Sequence, residues 1–266
     1  MDETIPYDKD ANFQFDSKAY LQRYTHPIEA LGIQVQFLEC WHQFYRDYHQ
    51  DFDESSSTML EFGGGPTLWS LISVAPNVSS ITFSDYAETN RSEIEIWRDN
   101  ESGCHDWKPY VEYIVRTLEG NQDPNAVDLR VQELRRKLQN IIFCDAHSEK
   151  PLGEMQQKFD VIHTNLCLEI VCEDKDAFYA VFSKFHQYLK PRGYLLCLAA
   201  LEGSWYLCWN GGGQKWHQLY LQSEDLDTAM ARSGFTILYT RIVHPASTNL
   251  MSATKKWRFI VARKKD

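Results

Sequence analysis

The chain has no run of apolar residues near the roughly 20 needed to cross a bilayer; its longest, 194–201, suits a buried strand. Its opening, MDETIPYDKDANF, lacks the basic-then-apolar order of a secretory leader. A cytoplasmic protein with no membrane partner is therefore expected. The seven cysteines, at 40, 104, 144, 167, 172, 197 and 208, include no C-x-x-C pair, which argues against a disulfide framework and a zinc ribbon. His42, His49, His163 and His217 are scattered, so no metal is expected. Basic charge is in deficit: 27 Lys and Arg against 37 Asp and Glu give a net charge of −10, a field that repels nucleic acid and favours a small uncharged or cationic partner. Repeats, low-complexity tracts and Gly/Pro/Ser-rich linkers are absent, so 1–266 reads as one domain and a monomer.

A composition 43% hydrophobic and 14% aromatic can bury a substantial core. Ile28, Leu31, Val35, Leu38, Trp41, Tyr45 and Tyr48 alternate at three and four, predicting a long amphipathic helix after Pro27. The first 15 residues, largely polar, read as loose. Short apolar strands are predicted at 58–62, 81–84, 141–144, 159–163 and 194–201, with closing strands at 235–243 and 257–263. Helices are predicted from near Thr67, at 88–98, between 107 and 118, around Val131 to Leu138, from Phe178 to Leu189, and at 224–233 before Gly234. Such alternation predicts an α/β sandwich with a largely parallel sheet, whose ligands lie beyond the carboxyl ends of the strands.

Three strand ends carry the chemistry. Glu61-Phe62-Gly63-Gly64-Gly65-Pro66-Thr67 places bare backbone after the first strand, where positive φ and close ligand approach are possible. A dinucleotide fingerprint would need glycine where Leu68 stands. Asp85, 20 residues after Gly65, ends the second strand, where a carboxylate can accept from both ribose hydroxyls. Asp145 ends the third, within reach of an adenine amino group, with the Ala146 amide beside it. Each acid alone is more often a helix cap or turn residue; their ordered conjunction points to an adenosine-containing cofactor.

At these residues the chain resembles the nicotinamide, phenylethanolamine and indolethylamine N-methyltransferases, from about Phe13 to Lys264. The motifs are AYLQRY, EFGGGPT, SDYAETN, FCDAH, NLCLE, LKPRGYLL and ALEGSWYL. The resemblance implies the class I, Rossmann-like methyltransferase fold: a seven-stranded mostly parallel sheet with helices on both faces and an N-terminal helical lid. Residues 1–50 would supply lid and packing helix, and 51–266 the α/β core. It implies S-adenosyl-L-methionine as cofactor, with Tyr20 in the lid, Gly63, Gly64, Gly65 and Thr67 along the amino acid moiety, Asp85, Tyr86 and Asn90 around the ribose, Asp145 and Ala146 at the adenine, and Asn165 where relatives place a cofactor-contacting threonine. The substrate pocket would draw on Tyr20, Tyr24, Leu166, Glu169, Glu202 and Tyr206. Ala199 stands where nicotinamide methyltransferases carry an aspartate, and Gly203 where phenylethanolamine enzymes carry a second pocket acid.

Methyl transfer from a sulfonium is an in-line displacement that needs alignment and exclusion of water, with no covalent nucleophile. A protonated amine cannot attack, so Glu169 and Glu202 are the candidate catalytic acids for an aliphatic amine, whereas a pyridine nitrogen is already free. Tyr20, Tyr24, Trp205 and Tyr206 can hold a flat or cationic substrate. Two other readings share these features: a nicotinamide dinucleotide oxidoreductase, which also uses an acid at Asp85, and a catalytically silent protein that binds the same cofactor.

Overall fold

The computed structural model describes residues 5–8, 15–22, 32–207, 214–245 and 252–266. Its centre is a seven-stranded sheet. In chain order the strands are β1 (Thr58–Phe62), β2 (Ser80–Asp85), β3 (Leu138–Phe143), β4 (Phe159–Asn165), β5 (Leu189–Leu201), β8 (Phe235–Val243) and β9 (Lys256–Lys264), with a separate hairpin of β6 (Trp205–Leu207) and β7 (Lys215–His217). The spatial order is β3-β2-β1-β4-β5-β9-β8. The first five strands pair in parallel, and β9 runs antiparallel to both β5 and β8. The expected seven-stranded, mostly parallel sheet is present, and its order reverses between β1 and β4, the kind of switch point beyond whose carboxyl ends open α/β sheets bind their ligands.

Alternation along the strands explains the two cores. Met59 of β1 and Val161 of β4 face one cluster, together with Phe37, Leu38, Trp41 and Phe44 of helix α2 (Ile33–Tyr48). Leu60, Phe62 and Ile162 face the other, packed under Phe178, Phe182 and Phe185 of α7 (Lys175–Tyr188). Each fully buried apolar side chain of this size contributes roughly 1.5–3 kcal/mol, so both faces are fastened. On the first face lie also α3 (Glu88–Arg98), α4 (Lys108–Glu112) and α5 (Ala126–Lys137); on the second, α6 (Leu168–Val171) and α8 (Ser223–Arg232). In the segment expected to form a lid lies α1 (Ser17–Leu21), started by Asp16, whose carboxylate accepts from the Ala19 amide at 2.9 Å.

Three expectations are corrected. The helix expected from near Thr67 is replaced by two 3-10 turns, Trp69–Leu71 and Ala75–Asn77. Pro76 lacks the N–H that an α-helix would need and its ring crowds the preceding turn, while Leu68, Trp69, Leu71, Ile72, Val74 and Ala75 are all buried, so no polar face exists to float a surface helix. The helix expected between 107 and 118 widens after α4 into a π-helical stretch, Tyr113–Leu118, closed by the Glu119 amide on the Ile114 carbonyl. The opening residues expected to be loose are partly tied: the Tyr7 hydroxyl donates to the Val171 carbonyl at 3.0 Å and meets His147 Nε2 at 3.2 Å.

Candidate active site

Beyond β1 the chain turns at once. Gly63 and Gly65 take φ of 68° and 62°, conformations that side chains resist. A Cβ on Gly63 would overlap the Cys167 sulfur, and one on Gly64 would overlap the Phe83 ring. Gly65 has nothing within 4 Å of where its Cβ would sit, so its backbone is bare on that side. The turn hangs from β2: the Gly63 and Gly64 amides donate to the Ser84 carbonyl at 2.9 and 3.2 Å. Thr67 closes it by donating its hydroxyl to the Gly64 carbonyl at 3.0 Å.

Asp85, at the tip of β2, is buried and receives three donors. Its Oδ2 accepts from the Gly65 amide at 2.8 Å, and its Oδ1 from the Ala87 amide at 2.9 Å and from Asn90 Nδ2 at 3.0 Å. Burial raises its pKa, and the bonds from Asn90, Gly65 and Ala87 work against that rise. The Asn90 carbonyl oxygen in turn accepts from Ser17 of α1 at 2.7 Å. Tyr86 lies beside Phe143 at the tip of β3, with ring centroids 5.3 Å apart. Beyond β3, Asp145 accepts from the His147 amide at 2.8 Å, and the Ala146 carbonyl accepts from Lys184 at 3.0 Å.

A second polar line runs behind the glycine turn. Tyr45 of α2 and His163 of β4 are hydrogen-bonded at 2.8 Å, His163 Nδ1 lies 3.5 Å from Glu61 Oε2, and Glu61 Oε1 accepts from Asn165 Nδ2 at 3.0 Å. The Asn165 carbonyl oxygen is buried without a hydrogen-bond partner among the described residues. Sequence reasoning named Tyr45 on the predicted helix and His163 among the scattered histidines but did not join them, because their contact links residues 118 positions apart.

At the tips of β4 and β5 the backbone is strained. Leu166 and Glu202 have φ of 52° and 57°, a left-handed conformation that costs a non-glycine residue about 1–2 kcal/mol. Strain of this kind concentrates at functional sites. Glu169, in the first turn of α6, is 1% exposed, and its carboxylate accepts from the Ala200 amide at 2.8 Å. Burial pushes its pKa up to about 7, with the backbone hydrogen bonds opposing. Glu202 is different: it is half-buried and paired with Lys256 at 2.6 Å, so the structure gives the two candidate acids unequal surroundings. Gly203 is confined, since a Cβ there would lie 2.5 Å from the Thr254 nitrogen and 2.8 Å from the Ala253 carbonyl carbon.

Tyr206 lies on β6 opposite Trp216 of β7, their rings 6.2 Å apart. Both line a cavity with Ile170, His217 and residues 5–8. The Leu219 amide donates to the Glu169 carbonyl at 2.7 Å, which anchors the segment after this hairpin to α6. The hairpin, Tyr7 and Ser17 all went unread in the sequence. Tyr20, on α1, packs against Phe15 at 5.2 Å and against the first core cluster. Tyr24 lies outside the described residues. Among the described residues no group of His, Cys, Asp and Glu is placed to hold a metal ion, and no helix is long and apolar enough to cross a membrane.

Residues 4–265 match the model of the NNMT/PNMT/TEMT family. Relatives include nicotinamide N-methyltransferase of Homo sapiens, 29% identical over 207 residues that cover 77% of this chain and 76% of that protein. Indolethylamine N-methyltransferase of Oryctolagus cuniculus is 29% identical, covering 86% and 83%, and phenylethanolamine N-methyltransferase of Macaca mulatta 28% identical, covering 84% and 79%. Among solved structures, magnesium protoporphyrin IX methyltransferase of Synechocystis PCC 6803 with bound SAM superposes with a TM-score of 0.57 at 13% identity, over 99% of this chain and 100% of that one. A SAM-dependent methyltransferase of Methanosarcina mazei gives 0.56 at 16% identity, over 83% and 98%. At those identities the structural likeness speaks for the fold.

Proposed function

The chain belongs to the NNMT/PNMT/TEMT family, and from that premise we propose that its substrate is an arylalkylamine whose nitrogen loses a proton to Glu169. Membership makes the chain an enzyme, an S-adenosylmethionine-dependent N-methyltransferase of small-molecule amines; the oxidoreductase and silent-protein readings are not favoured. The cofactor supplies an activated methyl group on a sulfonium. The residues present fit it. Gly65 offers an open backbone. The unpartnered Asn165 carbonyl suits an ammonium at the amino acid end. Of roughly four acceptor positions on a carboxylate, Asp85 has one left on Oδ2, so one ribose hydroxyl falls to Asp85 and the other to the spare N–H of Asn90. Tyr86, Asp145 and Ala146 are assigned to the adenosine end on their position at the tips of β2 and β3.

The observation that carries the substrate reading is the surroundings of Glu169. A buried carboxyl held near neutrality can take the proton from an ammonium and release it again. Glu202 is half-buried and already paired with Lys256. Leu166 and Tyr206 complete the apolar and aromatic walls for a flat ring. Gly203 leaves no room for a second pocket acid, and Ala199 offers none, so one carboxyl serves the amine.

The test is transfer of a labelled methyl group from S-adenosylmethionine to tryptamine, phenylethanolamine, nicotinamide and quinoline. Tryptamine or another arylalkylamine should be methylated fastest. Faster turnover of the two aromatic ring nitrogens would overturn the arylalkylamine assignment.

A further inference from the structure

We propose that Ser17 is a positioning residue that couples seating of the N-terminal helix α1 to recognition of the cofactor's ribose; this rests on the assignment of Asp85 and Asn90 to that sugar. Ser17 is 3% exposed, and its hydroxyl reaches Asn90 at 2.7 Å. From Asn90 the line continues to Asp85 at 3.0 Å and from Asp85 to the Gly65 amide at 2.8 Å. A residue on the lid is thus joined through two polar side chains to the bare turn that approaches the ligand.

The polarity of this line follows from its members. An ionised carboxylate only accepts, so the Asn90 group facing Asp85 is the amide nitrogen. The carbonyl oxygen of Asn90 is therefore turned toward Ser17, whose hydroxyl has to donate. With both ends engaged the amide plane is fixed, and its second N–H is the one group left for a sugar oxygen. Removing the Ser17 hydroxyl leaves a buried carbonyl unpaired and frees the amide to move off that orientation. The coupling is reciprocal: a ligand that engages Asn90 and Asp85 stabilises the same amide orientation that Ser17 requires, and so favours the seated helix. Leu21, buried at the far end of α1, and the 3.9 Å pairing of Lys18 with Glu93 hold the helix against the body of the protein without touching this line. Loss of the hydroxyl therefore alters recognition while leaving the helix a place to sit.

The experiment is calorimetric titration of the full chain with S-adenosylhomocysteine and its 2′-deoxy and 3′-deoxy forms, using the wild type, Ser17→Ala and Ser17→Thr. Ser17→Ala should bind S-adenosylhomocysteine about 10-fold more weakly. Loss of at least one ribose hydroxyl should cost the wild type about 10-fold and Ser17→Ala less than about 3-fold, a non-additivity expected only of groups acting through one another. Ser17→Thr, which restores the hydroxyl, should recover both values. Parallel losses for all three ligands, or unchanged affinity in Ser17→Ala, would overturn the coupling while leaving the cofactor assignment in place. A wild type that binds S-adenosylhomocysteine but ignores both deoxygenations would remove the ribose assignment and the inference together.

Discussion

Asp85 and Glu169 are both buried carboxyls at the carboxyl end of one sheet, burial raises the pKa of both, and they differ in how many donors oppose that rise. Asp85 meets three N–H donors, two from backbone and one from Asn90. Glu169 meets the Ala200 amide on one oxygen, and burial dominates, bringing its pKa to about 7. Donors fix a charged acceptor in place; their scarcity leaves a group that can carry a proton. On the proposed assignment, the end of the sheet that would hold the cofactor carries the more heavily hydrogen-bonded carboxyl, and the end that would hold the amine the less.

The contrast can be broken most severely at Asp85. Asp85→Ala strands three donors and should weaken S-adenosylhomocysteine binding by about 100-fold or more in calorimetry; a loss under about 5-fold would mean that Asp85 is only a helix cap. Next, Glu169→Ala should lower kcat/KM for an aliphatic amine by about 100-fold and for quinoline by less than about 10-fold. Equal losses for both would remove the proton-accepting role. Tyr20→Ala, on α1, should weaken cofactor binding by roughly 10-fold, an estimate in the range of a lost hydrogen-bonding aromatic contact, and unchanged affinity would detach Tyr20 from the lid.

The smallest effect concerns stability and pH. Between the ordinary value of 4.5 and about 7, folded Glu169 retains a proton that the unfolded chain has released. The stabilisation from the protonated form is complete below about 4.5 and is lost as pH rises through about 7. Glu169→Gln escapes that loss. Its melting temperature should exceed that of the wild type at pH 8 by a few degrees, on the order of 1–3 kcal/mol, with the gap closing toward pH 4.5. A gap that widens on acidification would reverse the assigned direction.

The parts legible in the sequence were those governed by local rules. The periodicity from Ile28 to Tyr48 marked α2, whose described span is Ile33–Tyr48, and the 58–62, 88–98 and 235–243 boundaries coincide with β1, α3 and β8. Glycines after a strand and acids at strand ends are likewise signals carried within a few residues. What escaped was set by distant contact. The β6–β7 hairpin has three-residue strands, too short for periodicity to register. Ser17 meets Asn90 across 73 positions and Tyr7 meets Val171 across 164, and nothing in a polar opening segment announces such partners. The role of Lys256 beside Glu202 depends on strand direction, which the pattern of apolar residues alone does not encode.

That direction has a consequence for how such a protein can diversify. Because β9 runs against its neighbours, with Leu201 opposite Lys256 and Val243 opposite Trp257, β8 ends and β9 begins at the same edge as the carboxyl end of β5. Changes in length between β8 and β9 would bear first on Lys256 at the start of β9, while β1, β2 and β3, which carry the glycine turn and Asp85 and precede Asp145, are separated from β9 in the sheet by β4 and β5 and keep their register. Variation at this edge of the sheet is therefore insulated from the parallel strands that hold Asp85 and the glycine turn.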